Sequence, residues 1–377
     1  MDKNKKVKLG IIGYGNMGSG HAKYILAGDA PEIELVAIAD VSEKKRAAAR
    51  ADVAETVSIL PSGDALIESG LCDAALIAVP HYSHPTLAIR AFNKGLHVMC
   101  EKPAGVYTKQ VREMNAAAAA HPDLTFGMMF NQRANSLYIK MRKLVAGGAL
   151  GAIKRVSWLI TDWYRPQCYY DSGAWRATWD GEGGGVLLNQ CPHNLDLLQW
   201  ICGMPSAVRA FCHNGKWHDI EVEDDVTAYM EYAGGATGVF VTSTADAPGT
   251  NRFEVTLEWG KLVCEDGKLT LHWLDTNERE FCKQAAGAFA SPRAQVVEIE
   301  TDGQNPQHKA VLNAFAANIL RGEPLIADGA EGIRGLTLSN AMHLSSWLDK
   351  TVAIPFDEEL FLAELTKRRE SGRRVAR

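Results

Sequence analysis

A glycine-rich turn near the N-terminus has the residue types and spacing of a dinucleotide site. Gly13, Gly15 and Gly18 form Gly-x-Gly-x-x-Gly directly after the apolar run 7–12. The first glycine allows a tight turn, the second lets backbone approach a pyrophosphate, and the third lets the next helix pack closely on the strand. A helix that begins here would direct its free N–H groups at the phosphates. The residues predicted to form this contact are Gly13, Tyr14, Gly15, Asn16, Met17 and Gly18.

An acidic residue follows at the distance expected for the adenosine ribose. The second apolar run, 33–39, ends at Asp40, 22 residues beyond Gly18, where about 20 are expected. Its charge would repel a 2′-phosphate, and neither Val41 nor Ser42 offers an arginine to offset that repulsion. NAD is therefore predicted in preference to NADP. The alternative is a carboxylate that only caps the following helix.

Lys102 has the chemistry of a donor to a reacting hydroxyl. It follows the apolar run 96–100, at the edge where open α/β sheets bind ligands. An ammonium there could hydrogen-bond the hydroxyl and stabilise the alkoxide that develops as hydride leaves its carbon. A surface lysine at a helix start is the alternative.

His193 has the strongest claim among the 11 histidines to act as proton acceptor. Imidazole titrates near neutral pH and can take the hydroxyl proton. The segment 192–202 has a helical apolar face, and the dipole at the start of such a helix disfavours imidazolium. His193 is therefore predicted to be a neutral base, with a helix-capping histidine as the alternative.

The elements that must position these residues change character along the chain. Apolar strands alternate with helical segments to about residue 125, which is typical of a parallel sheet covered on both faces. Afterwards strands separated by glycine or proline turns dominate, at 153–163, 208–213, 226–232, 237–244, 253–258 and 268–273, followed by helical segments 306–321 and 330–349 and a basic tail, 367–377, read as a frayed helix end. The predicted fold is an α/β Rossmann domain, residues 1–125. An α+β domain with an open-faced, mostly antiparallel sheet and C-terminal helices, residues 126–377, follows it.

Composition narrows the classes of partner. A formal charge of −5 over 377 residues gives no basic field for nucleic acid. No apolar run approaches the ~20 residues of a membrane helix, and no signal-type segment precedes the first strand, so a cytoplasmic location is expected.

The eight cysteines form no Cys-x-x-Cys pair, and the segment 213–225 lacks a ligand triad with helical or zinc-finger spacing. Neither a disulfide framework nor a metal site is therefore expected.

Four motifs together resemble the Gfo/Idh/MocA family of sugar and cyclitol oxidoreductases. They are the glycine turn, Val79-Pro80 followed by His84, Glu101-Lys102-Pro103, and the block Gly183 to Asp196 that reads Gly-Gly-Gly-Val-Leu-Leu-Asn-Gln-Cys-Pro-His-Asn-Leu-Asp. The resemblance implies a Rossmann domain joined to an open-faced sheet domain, NAD as cofactor, a sugar or cyclitol substrate, and a homodimer or homotetramer. It also implies a catalytic Lys102 and His193. The further residues that it assigns to the cofactor are Val79, Pro80, His84, Glu101 and Lys102.

The chain departs from the family four residues before the histidine. Many members have aspartate there, whereas this chain has Asn189. An amide can orient substrate or imidazole by hydrogen bonds, but it supplies no negative charge to stabilise imidazolium or to balance Lys102. Asn189 is therefore expected to be a catalytic residue without the charge of its counterpart.

An aromatic and arginine-rich block, 161–176, is predicted to recognise the sugar. Aromatic faces pack against the C–H patches of a pyranose, while arginine and aspartate bind its hydroxyls. The predicted substrate residues are Asp162, Arg165, Tyr170, Trp175, Arg176, Asn189, His193 and Asp196.

Three functions remain open at this level. The first is an NAD-dependent dehydrogenase that oxidises a ring hydroxyl. The second is an NAD-dependent glycosidase that oxidises a ring carbon transiently, eliminates the aglycone and re-reduces the ring. The third is a dinucleotide sensor without turnover, against which the presence of both Lys102 and His193 argues.

Overall fold

A computed structural model describes residues 5–372 of the chain. The described chain divides into two compact units, one of residues up to 134 together with 306–336, and the other of residues 135–305 together with those from 337 onward. The strands are β1 (Val7–Ile12), β2 (Ile33–Ala39), β3 (Ser58–Leu60), β4 (Ala74–Ile77), β5 (His97–Cys100), β6 (Phe126–Met128), β7 (Ile153–Ile160), β8 (Ala207–Asn214), β9 (Glu223–Glu231), β10 (Thr237–Ser243), β11 (Asn251–Leu257), β12 (Gly260–Glu265), β13 (Lys268–Leu274), β14 (Ala294–Glu298) and β15 (Val352–Ala353). The helices are α1 (Asn16–Leu26), α2 (Glu43–Asp52), α3 (Gly63–Glu68), α4 (Ser83–Asn93), α5 (Thr108–Ala119), α6 (Ser136–Ala146), α7 (Gln167–Tyr170), α8 (Pro192–Cys202), α9 (Glu278–Gln284), α10 (Gln307–Arg321), α11 (Gly332–Leu348) and α12 (Glu358–Ser371).

The first unit is a doubly wound parallel sheet of order β3-β2-β1-β4-β5-β6. All of its strand pairs are parallel, as the apolar runs predict. The strand order reverses between β1 and β4, and ligands of such sheets bind beyond the carboxyl ends of the strands at that reversal. The turns after β1, β4 and β5 carry Gly13, Val79 and Lys102, so the fold brings the predicted cofactor residues to one sheet edge.

The unit boundaries differ from the expected division after residue 125. Strand β6 pairs with β5, so residues 126–134 belong to the first unit. Helix α10, expected in the second domain, buries Leu312 and Phe315 in the same apolar cluster as Leu9 and Leu76 of the parallel sheet. The apolar face of α10 packs against a sheet whose first strand lies about 300 residues earlier in the chain. Local hydrophobic periodicity does not reveal such a distant contact.

The second unit is a nine-stranded sheet of order β14-β13-β12-β11-β7-β10-β9-β8-β15. Its pairs are antiparallel except β7 with β10. The sequence missed β12, β14 and the short β15. Asp266 and Gly267 both have positive φ, 50° and 73°, and they turn β12 into β13 as an Asp-Gly hairpin.

Two more expectations require correction. Strand β7 ends at Ile160 rather than at residue 163, because the next segment bonds to other loops: Thr161 N–H donates to Thr250 O and Arg165 N–H to Thr244 O. The basic tail begins inside α12, and residues 373–377 lie outside the described part.

All eight cysteines are free thiols. Among residues 5–372, no helix has the length and apolarity needed to cross a membrane.

Candidate functional site

The turn after β1 requires glycine at two positions. Gly13 has φ +95°, and a Cβ there would lie 2.3 Å from Ala78 O. A Cβ on Gly18 would lie 1.9 Å from Gly13 O, so any side chain would push α1 away from the turn. Above Gly15 the nearest atom to a Cβ is Lys45 Nζ at 3.7 Å, which leaves the space that a pyrophosphate needs. The unit therefore fits a dinucleotide at this turn.

Asp40 is oriented by backbone rather than by the helix that follows it. Its Oδ2 accepts the Tyr14 N–H at 2.8 Å, and its Oδ1 accepts the Ser42 N–H at 2.8 Å. Each carboxylate oxygen keeps a lone pair for a ribose hydroxyl. Helix α2 also brings two cations that the sequence argument omitted: Lys45 Nζ lies 3.8 Å from Asp40 Oδ2, and Arg46 donates to Asp40 O at 2.7 Å.

Lys102 is the accessible residue of a buried run. All residues from 98 to 106 except Lys102 are buried. The Lys102 N–H donates to Glu101 Oε2 at 3.1 Å, and Glu101 Oε1 lies 2.6 Å from Nε2 of the fully buried His21. Burial alone would raise the pKa of Glu101, but the hydrogen bond and charge of His21, with the charge of Lys102, lower this pKa to about 2. A buried carboxylate thus fixes the backbone that carries Lys102.

His84 joins two of the turns at this edge. Its Nδ1 lies 2.8 Å from Pro103 O and its Nε2 lies 2.7 Å from Val79 O, while burial lowers its pKa. His84 and Glu101 were both predicted to bind cofactor, yet they are 1% and 4% exposed. Both side chains bond to protein groups and hold the backbone at Val79, Lys102 and Pro103.

The other predicted cofactor residues differ in accessibility. Asn16, Met17 and Pro80 are exposed and Val79 is partly exposed. Tyr14 is buried, and its hydroxyl donates to Asp52 Oδ2 at 3.0 Å. Burial and Asp52 raise its pKa to about 12. Both the phenol and the backbone N–H of Tyr14 therefore bond to protein carboxylates, Asp52 and Asp40.

In the second unit, Asn189 and His193 are the accessible residues of another buried run. All residues from 182 to 199 except these two are buried. Helix α8 begins at Pro192, which places His193 in its first turn, where the dipole disfavours imidazolium.

Glu223 supports the loop that leads to His193. Its Oε1 accepts the Gly185 N–H at 2.9 Å and the Leu187 N–H at 3.0 Å, and its Oε2 lies 3.0 Å from Nε2 of the buried His343. Burial would raise the pKa of Glu223, but the charge of His343 and the hydrogen bonds lower it. Sequence reasoning missed Glu223, because it lies on β9, far along the chain from the loop that it supports.

A carboxylate lies directly behind Asn189. The Asn189 side-chain N–H₂ donates to Glu182 Oε1, and Glu182 Oε2 accepts the Ala177 N–H at 2.7 Å. The amide itself carries no charge, but a buried carboxylate accepts its hydrogen bond. The available signal was an acidic residue directly before the Gly-Gly-Gly segment 183–185.

Part of the predicted substrate set lies close to this amide. The Tyr169 hydroxyl donates to Asn189 Oδ1 at 3.4 Å, and Arg176 donates to the Tyr169 hydroxyl at 2.9 Å. The Arg176 guanidinium also lies over the rings of Trp175 and Tyr169, at 4.7 and 4.6 Å. Tyr169 belongs to the predicted recognition block 161–176, although it is not among the individual residues predicted to bind the substrate. Tyr170, Trp175 and Arg176 line a cavity of about 970 Å³ in this unit, and α12 contributes Arg369 and Glu370 to its wall.

The remaining predicted substrate residues are not gathered at that cavity. Asp162 is exposed. Arg165 lies over the rings of Trp163 and Tyr169. Asp196 is 1% exposed and accepts a hydrogen bond from Gln199 at 3.0 Å within α8, so its carboxylate belongs to the packing of that helix.

The loop that sequence analysis weighed as a metal site has a different role. His218 Nδ1 lies 2.9 Å from Asp224 Oδ2, and its Nε2 lies 2.8 Å from Arg165 O. This pair holds the backbone of Arg165. Over residues 5–372 no three metal-ligating side chains form a group.

Known proteins resemble both units. Residues 7–127 match the oxidoreductase family with an NAD-binding Rossmann fold, and residues 138–263 match the GFO/IDH/MocA C-terminal domain. The rhizopine catabolism protein MocA of Rhizobium meliloti is 28% identical over 52% of this chain and 58% of its own length. D-glucoside 3-dehydrogenase of Escherichia coli is 26% identical over 86% of this chain and 91% of its own length.

A solved structure extends the similarity to the whole fold. The WlbA dehydrogenase of Bordetella pertussis, in complex with NADH and UDP-GlcNAcA, has a TM-score of 0.78 and 25% identity. The similarity covers 94% of this chain and 99% of that one. With both domain models matched and a Rossmann unit that fits NAD, the chain belongs to the Gfo/Idh/MocA family of NAD-binding oxidoreductases.

Proposed function

We propose that this protein is an NAD-dependent dehydrogenase that transfers hydride between nicotinamide and a ring hydroxyl or ketone of a sugar, sugar derivative or cyclitol. One observation carries the proposal. Lys102 in the first unit and Asn189 with His193 in the second are the partly exposed residues of otherwise buried runs. Buried carboxylates hold the backbone beside Lys102 and the loop before His193. Polar groups held in this way are typical of preorganised catalytic sites.

Each residue has one task in this proposal. Bound NAD supplies the hydride acceptor or donor. Lys102 donates a hydrogen bond to the reacting oxygen and stabilises the alkoxide. His193 takes the hydroxyl proton during oxidation and returns it during reduction. Asn189 orients the substrate or the imidazole. The glycine turn and Asp40 hold the pyrophosphate and ribose.

NAD is proposed as the preferred cofactor over NADP. The Asp40 carboxylate, with both oxygens fixed by backbone N–H groups, would face a 2′-phosphate and repel it. Lys45 and Arg46 moderate that repulsion, since both lie against Asp40. The preference is therefore expected to be finite rather than absolute.

The cavity beside Trp175 is proposed to take part of the substrate. Its wall carries Arg176 and Arg369 but four carboxylates, Asp180, Asp219, Glu221 and Glu370. This excess of negative charge disfavours an anionic substituent and favours a neutral or amine-bearing one. A glycoside, amino sugar or cyclitol therefore suits the cavity better than a nucleotide sugar of the kind bound by the WlbA relative.

A substrate panel tests this function. Cyclitols, monosaccharides, amino sugars, glycosides and a UDP-sugar are incubated with NAD, and NADH absorbance and product mass are followed together. The proposal expects NADH in step with a product two hydrogens lighter, and weaker turnover of the UDP-sugar. Glycoside cleavage without net NADH would instead establish the glycosidase. Tight NADH binding with no product from any sugar would establish a sensor.

Self-association is a further prediction. The large sheet exposes apolar side chains, among them Leu159 on β7, Phe211 on β8 and Tyr229 on β9. Exposed apolar residues of this kind favour pairing of two copies. A homodimer or homotetramer is expected by light scattering after size-exclusion chromatography. A monomer at micromolar concentration would contradict the predicted self-association.

The cytoplasmic location stays a prediction.

A further inference from the structure

Three hydrogen bonds form a directional chain around Asn189. Arg176 donates to the Tyr169 hydroxyl, Tyr169 donates to Asn189 Oδ1, and the Asn189 N–H₂ donates to Glu182 Oε1. This series of hydrogen bonds runs from the Arg176 cation to the buried Glu182 carboxylate. Each group between them accepts one hydrogen bond and donates the next.

We propose that Glu182 fixes the orientation of Asn189, so that this amide presents its oxygen, and not its N–H₂, to the substrate. The inference rests on the proposed function, and it assigns Glu182 as a positioning residue. Asn189 then accepts a hydrogen bond where many relatives have the aspartate carboxylate. Glu182 thereby compensates for the departure from the family at residue 189.

The chemistry of the two groups carries this step. An ionised carboxylate only accepts hydrogen bonds, so it must face the N–H₂ end of an amide. Glu182 is 2% exposed, and its other oxygen is held by the Ala177 N–H, so the carboxylate cannot turn away. If the amide reversed, its oxygen would face the carboxylate, and its N–H₂ would face a hydroxyl that already accepts a hydrogen bond from Arg176 and would lose the acceptor for its own hydrogen.

The pair predicts an unusual response to restoring the family's aspartate. Asn189→Asp places a second carboxylate against Glu182, and two carboxylates sharing one site repel each other strongly. Glu182→Gln alone removes the anion that orients the amide. The double variant Glu182→Gln/Asn189→Asp exchanges the two groups, so that the new amide can donate to the new carboxylate.

The test compares these three variants with the parent protein on the best sugar of the panel. Each single variant is expected to lose roughly 10–100-fold in kcat/KM, the range for a hydrogen bond to a charged group. The double variant is expected to recover to within about threefold of the parent. Affinity for NADH is measured for every variant, so that a loss of turnover is separated from a loss of cofactor binding. The control Glu254→Gln removes another carboxylate of that unit, one paired with Arg252, and should not rescue Asn189→Asp.

A double variant as impaired as the product of the two single losses would overturn the proposal, as would a Glu182→Gln protein with normal kinetics. Urea unfolding of the same variants gives a readout that needs no turnover. A coupling between residues 182 and 189 in unfolding free energy is expected even if the sugar reaction fails. Additive unfolding free energies would show that the hydrogen bond is absent, whatever the enzyme catalyses.

Discussion

The two units expose their candidate catalytic groups in similar ways but support them differently. Lys102 follows a β-strand, and its supporting carboxylate is the adjacent residue, Glu101. His193 begins a helix, and the loop before it depends on Glu223, 38 residues beyond Gly185 in sequence. In both units a buried histidine lies within 3.0 Å of that carboxylate, His21 in the first and His343 in the second.

The difference concerns where the positional information lies. Around Lys102 it lies in the strand end, in the adjacent Glu101, and in His21 and His84 of the same unit, which bond to Glu101 and Pro103. Around His193 it comes from β9 and from Glu182, so a change far along the chain can displace the loop. The first site is therefore expected to tolerate changes in the second unit, whereas Asn189 depends on contacts that its own segment does not specify.

The largest expected effect is loss of the base. His193→Ala should lower kcat roughly 10²–10⁴-fold, because general base catalysis contributes about that factor. His213→Ala is the control, since that histidine is exposed on β8. Steady-state kinetics at saturating NAD measures both. Turnover that survives His193→Ala would assign the proton to another group.

Loss of the donor in the first unit should be nearly as large. Lys102→Ala should lower kcat roughly 10²–10³-fold, by analogy with removal of an oxyanion donor. Lys94→Ala removes an exposed lysine paired with Glu68 and should leave kcat unchanged. Near-normal turnover of the Lys102 variant would exclude this residue from the mechanism.

The support of Lys102 should be visible as acid sensitivity. Glu101 has a folded-state pKa of about 2, below its ordinary value of 4.5. Its stabilisation is therefore fully present above the unfolded pKa and is lost as pH falls from 4.5 towards 2. The unfolding free energy of the parent should fall more steeply over that window than that of Glu101→Gln. Parallel pH profiles in urea unfolding would show that Glu101 is not held as an anion.

The smallest effect concerns cofactor choice. Asp40→Ala should narrow the difference between the KM values for NAD and NADP, because the repulsion of a 2′-phosphate disappears. Adding Lys45→Ala should reverse part of this gain, because the single Asp40→Ala variant keeps Lys45 as a cation beside the empty carboxylate position and the double variant loses it. A parent enzyme that prefers NADP would contradict the role given to Asp40.

This contrast also explains how far the sequence could be interpreted. The parallel sheet, the glycine turn and the start of α8 follow from local patterns, because their residues are neighbours in the chain. The assignment of α10 to the first unit and the support by Glu223 depend on contacts between distant segments. Glu182 is the intermediate case: it is seven residues from Asn189, but only the folded structure shows that its carboxylate faces the amide.

The central claim is that Lys102 and His193 serve one reaction, and a double-mutant cycle tests it most directly. The measurement is kcat for Lys102→Ala, His193→Ala and the combined variant on the same sugar. Residues that act as a unit give strongly non-additive losses, so the combined variant should be about as slow as the slower single variant. A combined loss equal to the product of the two single losses would show independent contributions and would contradict the account.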